Sequence, residues 1–234
     1  MDISSIKLYA THEHPCSYLK DRSATTIFVD PALTMNGRIY SELSDFGFRR
    51  SGAHVYRPNC RNCQACIPVR IPVALFQPSR AQKRCMKRNQ DVVATLTDSI
   101  NTDEHYALYE SYINSRHSDG DMYPPTRDQY EDFLSSEWGV TRYIELRAEG
   151  RLLGVAVSDQ LDQGLSAIYT FFHSNEPLRS LGVLAVLRQV ELAQALKLPY
   201  VYLGYWIREC DKMRYKNQYR PLDMFINNSW VTIG

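Results

Sequence analysis

The spacing of apolar and polar residues changes in kind near residue 100. Before that point, proline interrupts short apolar runs, which predicts short strands and loops, a helix near residues 31–45, and strands at VYRP and IPVRIPVALF. After it, residues 103–117 and 126–138 carry apolar side chains at helical spacing. Three strand-like runs then follow one another, at residues 141–148, 152–161 and 165–173.

The last third of the chain continues this alternation, with a helical pattern over residues 177–197 and a strand over 200–206. This element order is typical of acetyl-CoA-dependent N-acetyltransferases, the GNAT type, although other α/β folds share parts of it. We therefore predict an α/β protein. Residues 101–234 form an acetyltransferase-like domain with a mixed sheet flanked by helices, and residues 1–100 form a smaller N-terminal α+β region.

The totals are those of a globular protein with a sizeable core, since 44% of its 234 residues are hydrophobic. No apolar stretch approaches the length of a membrane helix, and the first residues lack the pattern of a secretory signal. We therefore expect a cytoplasmic protein without a membrane partner. In that compartment its six cysteines are expected to be reduced, metal-bound or reactive rather than paired in disulfides.

The net charge of +1 is the sum of a basic N-terminal part and an acidic C-terminal part. Residues 1–91 carry 14 Lys and Arg against 7 Asp and Glu, which leaves 13 against 19 for the rest. Such asymmetry indicates a protein in which one part faces nucleic acid and a second part does not. A solvated dipolar surface without any partner would give the same count.

Five cations occupy one face of the helix that Ser79 is predicted to cap. Their spacings of 3, 1, 3 and 1 place them on one side at about 3.6 residues per turn. No acidic residue offsets them, so we predict a stripe that binds nucleic-acid phosphates, with a solvated helix face as the alternative. The stripe consists of Arg80, Lys83, Arg84, Lys87 and Arg88.

Three cysteines form a C-x2-C-x2-C motif, and a distant fourth can complete a ligand set. Two-residue spacings let thiolates converge on zinc or on an iron–sulfur cluster. The alternative is that they are small buried residues in a turn. The candidate ligands are Cys16, Cys60, Cys63 and Cys66.

With these motifs in view, the chain resembles the aminoacyl-tRNA–protein transferases, most closely the bacterial aspartate/glutamate leucyltransferases. The resemblance runs from near the start to near the end of the sequence. It rests on CSYLKDR, GFRRSGAHVYRPNCRNCQACIPVRIPV, SRAQKRCMKRN, DQLDQGLSAIYTFF, EPLRSLGVLAVLRQVELA and PYVYLGYWIRECDKMRYKNQYRPLD.

The resemblance implies that an acetyltransferase-like domain binds aminoacyl-tRNA in place of acetyl-CoA. It implies transfer of an amino acid, leucine in the bacterial branch, to the N-terminal amine of proteins that begin with Asp or Glu, which marks them for N-degron-dependent degradation. No cofactor is required for this transfer. Eukaryotic arginyl relatives carry a cysteine quartet linked to zinc or an iron–sulfur cluster. Here Leu19 and Ala65 break that pattern, so the quartet is not transferred position by position.

Transfer from an activated ester needs a neutral amine, a base and donors that stabilise the oxyanion. Asp159 at a strand end is the candidate base, with Asp162 or a purely structural turn residue as alternatives. Ser166 and Tyr169 are the candidate hydroxyl donors. Strict alternation would place these two on opposite faces unless a bulge intervenes.

The segment Arg179-Ser180-Leu181-Gly182 stands where an acetyltransferase carries its glycine-rich turn, so it is a candidate site for the acceptor or the tRNA 3′ end. The cations predicted to bind the acidic acceptor residue are Arg179, Lys212, Arg214 and Lys216. The aromatic residues predicted to line an aminoacyl-adenosine pocket, or else to pack in the core, are Tyr202, Tyr205 and Trp206.

Two other functions remain open from the sequence. One is a coenzyme A-dependent N-acetyltransferase, which the missing glycine-rich turn disfavours. The other is a noncatalytic RNA-binding or metal-sensing protein built around the cysteines and the basic stripe.

Overall fold

A computed structural model describes residues 5–120 and 122–234 and shows a mixed α/β fold. The first six strands are β1 (Leu8–Ala10), β2 (His14–Pro15), β3 (Ser23–Ala24), β4 (Thr26–Val29), β5 (Arg49–Ser51) and β6 (His54–Pro58). Four of them form a small antiparallel sheet in the order β1-β4-β6-β5, and β2 and β3 form a separate two-stranded ribbon. Helix α1 (Gly37–Asp45) starts after Asn36, whose side chain accepts the Ile39 N–H.

The larger sheet contains β7 (Ile67–Pro72), β8 (Val93–Thr97), β9 (Thr141–Ala148), β10 (Arg151–Leu161), β11 (Gly164–Phe172), β12 (Tyr200–Trp206), β13 (Leu222–Ile226) and β14 (Ser229–Ile233). These eight described strands lie in the order β14-β13-β7-β12-β11-β10-β9-β8. Of these described strands, only β11 and β12 pair in parallel, so the sheet is mixed as predicted.

Helices cover both faces of this sheet. They are α2 (Arg80–Arg88), α3 (Asp103–Arg116), α4 (Arg127–Leu134), α5 (Leu181–Ala195) and α6 (Asp211–Arg214). Side chains of α5 and α2 pack on one face, and those of α3 and α4 pack on the other. Helix α1 and the small sheet share that second face, where Tyr40 and Leu43 meet Leu161 and Tyr202.

The two sheets divide near residue 60 rather than at residue 100. Strands β7 and β8 come from the first 100 residues, yet both lie in the large sheet. Strand β7 is inserted between β12 and β13, two strands from the last part of the chain. A division into domains at residue 100 stays a prediction, and the strand order shows that any such domains share one sheet.

Several predicted boundaries differ from those found. The helix expected from residue 31 begins at Gly37, because Pro31 lies in a turn. The helix expected from residue 177 begins at Leu181, because Ser180 has a left-handed conformation with φ of 53°. Across residues 5–120 and 122–234, no helix has the length and apolar character needed to cross a membrane.

Candidate active site

Strands β11 and β12 pair over only three positions and then separate. The pairs join Gly164, Leu165 and Ser166 to Tyr200, Val201 and Tyr202. Beyond them, β11 continues to Phe172 beside β10, while β12 continues to Trp206 beside β7. The two strands therefore form a fork, and the backbone groups at its apex must find partners other than each other.

The side chain of Arg49 occupies the apex of this fork. Its Nη1 donates to Ser166 Oγ at 2.9 Å and lies 3.5 Å from the Tyr202 carbonyl, and its Nη2 donates to the Ala167 carbonyl. The guanidinium packs against Gly204, where an added Cβ would lie 3.1 Å from both Cζ and Nε. Arg49 thus joins the two strands where they part. The sequence offered only its place in a basic segment, which did not single it out.

Replacing Gly204 by alanine is expected to destabilise the protein by about 1–3 kcal/mol and to displace Arg49, since Gly204 has φ of +80° and a crowded Cβ position. Urea unfolding measures the loss. The matched control is Gly150→Ala, because Gly150 also has φ of +80° but nothing within 4 Å of its Cβ position. Equal losses in the two variants would show that Arg49 does not press on Gly204.

Lys216 provides a second cation, which contacts strand β12 close to Gly204. It lies in a 3-10 turn (Tyr215–Gln218), is 5% exposed, and its Nζ donates to the Tyr205 carbonyl at 2.6 Å. Its Nζ also lies 3.0 Å from the Met213 sulfur. Burial, assisted by the charge of Arg49, lowers the pKa of Lys216 to about 7. The charged form of the Lys216 side chain is therefore costly in this structure unless an anion lies beside it.

A β-bulge brings the two predicted hydroxyl donors to one face of β11. Val157 pairs with Tyr169 and Ser158 with Ala167, so Ile168 is the extra residue. Ser166 contacts Arg49, and Tyr169 lies further along the same face, among Tyr112, His117 and Phe133. The Tyr169 hydroxyl is buried, has no hydrogen-bond partner among the described residues, and has a raised pKa because of burial.

Asp159, the predicted base, forms a buried ion pair instead of facing the fork. Both its side chain and that of Arg50 are 0% exposed. Arg50 Nε and Nη2 contact the two carboxylate oxygens, with Nη2 2.9 Å from Oδ1, and Thr141 Oγ1 donates to Oδ1 at 2.9 Å. A carboxylate enclosed in this way has no path to a substrate amine. The alternative candidate, Asp162, is exposed in the turn after β10.

The polar side chains around the fork belong to one row that crosses the large sheet at a single register. Its members are Thr141, Asp159, Ser166, Tyr202, Arg70, Asp223 and Thr232. This row is contacted by three residues from the N-terminal part, which is formed by α1 and strands β1 to β6. They are Asp45 at the end of α1 and Arg49 and Arg50 on β5. The row therefore anchors the N-terminal part on the sheet and fixes Arg49 in the fork.

Two of the three predicted pocket aromatics contribute to this anchoring. The Tyr202 hydroxyl donates to Asp45, and Arg70 lies over the Tyr202 ring. The Tyr205 hydroxyl donates to the Gly47 carbonyl at 2.9 Å. Trp206 is half-buried, and its Nε1 donates to the Arg214 carbonyl at 3.2 Å. Both tyrosines are therefore buried against the N-terminal part.

Three of the four predicted acceptor cations already pair with carboxylates. Arg179 binds both oxygens of Asp91, at 2.9 and 2.8 Å. Lys212 Nζ lies 2.9 Å from Asp119 Oδ1, and Arg214 pairs with Asp211 at 2.7 Å. By contrast, neither Lys216 nor Arg49 forms an ion pair within the described residues.

Helix α2 has its predicted cap and its predicted cationic face. Ser79 and Gln82 form a capping box. Gln82, Cys85 and Asn89 are buried, and all five cations of the stripe are exposed. The end of α2 is tied to the loop before α5, because Asn89 Nδ2 donates to the Arg179 carbonyl at 2.8 Å and Arg88 donates to Leu178. The stripe therefore leads to the N-terminus of α5.

The four cysteines of the predicted metal set line one pocket together with Tyr18 and Tyr56. All four are free thiols, and burial and the other three cysteines raise the pKa of Cys66 to about 12. Within the parts of the chain that the structure describes, no group of three or more His, Cys, Asp or Glu side chains has the arrangement of a metal site. A zinc ion or iron–sulfur cluster at these cysteines stays a prediction, and we derive no chemical step from one.

The similarity of this chain to known proteins extends over nearly its whole length. Residues 14–84 match the family described as "Arginine-tRNA-protein transferase, N terminus", and residues 104–226 match "Arginine-tRNA-protein transferase, C terminus". An aspartate/glutamate leucyltransferase of Saccharophagus degradans is 58% identical over 99% of this chain and 98% of its own. That of Teredinibacter turnerae is 57% identical over 99% and 96%.

Among solved structures, L-PGS from Bacillus licheniformis has a TM-score of 0.47 and 11% identity, covering 72% of this chain and 49% of its own. That likeness is too low to support a conclusion. The two family matches and the full-length relatives show that the chain belongs to the arginyl-tRNA–protein transferase family.

Proposed function

We propose that this protein transfers leucine from Leu-tRNA to the N-terminal amine of proteins that begin with Asp or Glu, so that they enter N-degron-dependent degradation. The observation that carries the proposal is the 58% identity, over almost the full length of both chains, to a relative named aspartate/glutamate leucyltransferase. The fork, the stripe, and the two cations without ion pairs, Arg49 and Lys216, support the proposal.

The leucyl ester at the tRNA 3′ end is placed in the fork between β11 and β12. A fork of this kind follows from three meandering strands, a helix and a parallel strand, the order in β9, β10, β11, α5 and β12. We take the domain to be acetyltransferase-like on that basis. The aminoacyl ester then takes the position of a thioester in an acetyltransferase.

The stripe on α2 is placed against the tRNA backbone. Exposed cations with no acid on the same helix attract phosphates, and the contact between α2 and the loop before α5 brings them close to the α5 N-terminus. The free N–H groups and positive dipole end of that helix favour a further phosphate. Together they hold the acceptor end of the tRNA while its ester lies in the fork.

The reaction requires few chemical groups from the protein. The acceptor α-amine, with a pKa of about 7.7–8.0, is partly neutral at neutral pH. Its nitrogen forms the new amide bond with the ester carbonyl carbon, and the ribose oxygen leaves and takes up a proton. Positioning supplies most of the acceleration. The Ser166 hydroxyl at the fork and the Tyr169 hydroxyl further along β11 act as donors, while Asp159 acts indirectly by holding Arg50.

The function is tested with radiolabelled Leu-tRNA, a peptide that begins with Asp and a parallel reaction with labelled acetyl-CoA. Label is expected in the peptide from Leu-tRNA and not from acetyl-CoA, and a peptide that begins with Gly serves as the control. Arg-tRNA in a further reaction identifies the amino acid carried. Label from acetyl-CoA alone would establish an acetyltransferase, and RNA binding without any label would establish a noncatalytic binding protein.

A further inference from the structure

The two cations at the fork, half-buried Arg49 and buried Lys216, differ in their partners from the buried cations Arg50 and Arg70 near them. Arg50 has Asp159, and Arg70 has Asp223 and Asp45. In the described residues Arg49 and Lys216 have only neutral acceptors, namely backbone carbonyls, the Ser166 hydroxyl and the Met213 sulfur. A buried cation without an anion is costly, since it gives up hydration without a compensating charge. The fork therefore carries positive charge that favours an anionic group of a substrate.

Both cations point to the same stretch of β12. The Arg49 guanidinium packs on Gly204 and reaches the Tyr202 carbonyl, while Lys216 Nζ bonds the carbonyl of Tyr205, the residue next to Gly204. The Arg49 charge also acts on Lys216 directly. One carboxylate placed over Gly204 and Tyr205 can thus meet both groups.

The chemistry of the two substrates decides which anion belongs there. The leucyl group of the tRNA carries an α-amine, which is a cation when protonated and would be repelled by two more. The acceptor's first residue brings a carboxylate, which two cations favour through charge-assisted hydrogen bonds. The tRNA phosphates have the α2 stripe, whose cations are exposed.

We propose that Arg49 and Lys216 together bind the side-chain carboxylate of the acceptor's first residue and so set the preference for Asp and Glu; this rests on the transfer function proposed above. The carboxylate supplies one negative charge, which offsets part of the positive charge of the two cations. The other cations predicted for this role already pair with carboxylates, namely Arg179 with Asp91, Lys212 with Asp119 and Arg214 with Asp211.

The proposal is tested by the ratio of kcat/KM for a peptide that begins with Asp to kcat/KM for the same peptide beginning with Asn. The two side chains have nearly the same shape, so the ratio reports the charge. A wild-type ratio of about 10–100 is expected from the strength of such hydrogen bonds. In Lys216→Met the ratio should fall at least fivefold, with KM for Leu-tRNA unchanged within twofold. Lys197→Met, at an exposed site after α5, should keep the wild-type ratio.

Arg49 is tested by Arg49→Lys, because Arg49→Met would leave the fork carbonyls without a donor and threaten the fold. The lysine keeps the charge but loses the paired donors, so a smaller fall in the ratio is expected than in Lys216→Met. The double variant Arg49→Lys/Lys216→Met should show almost no preference for Asp over Asn.

The outcomes separate the inference from the function on which it rests. No transfer by wild-type enzyme to any acidic peptide would refute the proposed function. Normal transfer with a wild-type Asp/Asn ratio in Lys216→Met and in the double variant would overturn the inference alone. An unchanged ratio with a raised KM for Leu-tRNA would also overturn it, and would assign the two cations to the tRNA.

Discussion

Replacing Asp159 by alanine is expected to lower the free energy of unfolding by about 3–5 kcal/mol, because it leaves Arg50 charged, buried and without a counterion. Arg50 also donates to the Phe133 and Ser135 carbonyls at the end of α4, so it cannot turn away to solvent without losing those bonds. Urea denaturation followed by circular dichroism measures the change. Asp162→Ala, only three residues along and exposed, is the control and should cost less than about 0.5 kcal/mol.

The double variant Arg50→Met/Asp159→Leu separates structure from chemistry. Removing both charges together should recover part of the stability that Asp159→Ala loses, since a buried ion pair is often replaceable by apolar groups. If Asp159→Ala instead keeps nearly full stability while leucyl transfer falls about 100-fold, the carboxylate acts in the reaction and our assignment is wrong.

The second large effect is expected from reversing charge on the exposed face of α2. The variant Arg80→Glu/Arg84→Glu/Lys87→Glu should raise KM for Leu-tRNA by at least tenfold at physiological salt. The slope of log affinity against log salt concentration should also become shallower by about 2–3 units. This is near one unit for each phosphate that the variant no longer binds. Arg88 is left intact because it also holds the loop before α5. Filter binding across a salt series measures both quantities.

The matched control reverses three exposed cations elsewhere, at Lys7, Arg38 and Lys197. It changes net charge equally, so any general repulsion of tRNA affects both variants. Similar losses in the two variants would contradict a localised stripe. An unchanged KM in the α2 variant, with its fold intact, would remove α2 from tRNA binding.

The elements that the sequence predicted well are those defined by neighbours along the chain. Strand β12 has the predicted bounds, and Ser79 caps α2 through Gln82, because alternation and capping involve residues only a few positions apart. The C-terminal hairpin of β13 and β14 was missed. Its signal was Asn227-Asn228, both with positive φ, a pair suited to the tight turn between two strands.

The candidate site was less predictable, because its contacts join distant residues. Arg50 and Asp159 are 109 residues apart, and Arg49 and Ser166 are 117 apart, so no local pattern links them. The bulge at Ile168 reverses the alternation expected for Tyr169, and it depends on strand β10 rather than on β11 alone. Asp159 is an example. Its position at a strand end suggested a catalytic base, but its ion pair with Arg50 gives it a structural role.

The insertion of β7 between β12 and β13 has a consequence for synthesis on the ribosome. Residues 67–72 leave the exit tunnel long before the strands on either side of them have been translated. Their apolar side chains, including Val69 and Ile71, remain exposed while roughly 130 further residues are synthesised at about 5–20 per second. Nascent chains are thus expected to pass several seconds with an aggregation-prone edge open, a period in which chaperones that bind extended apolar segments have most to contribute.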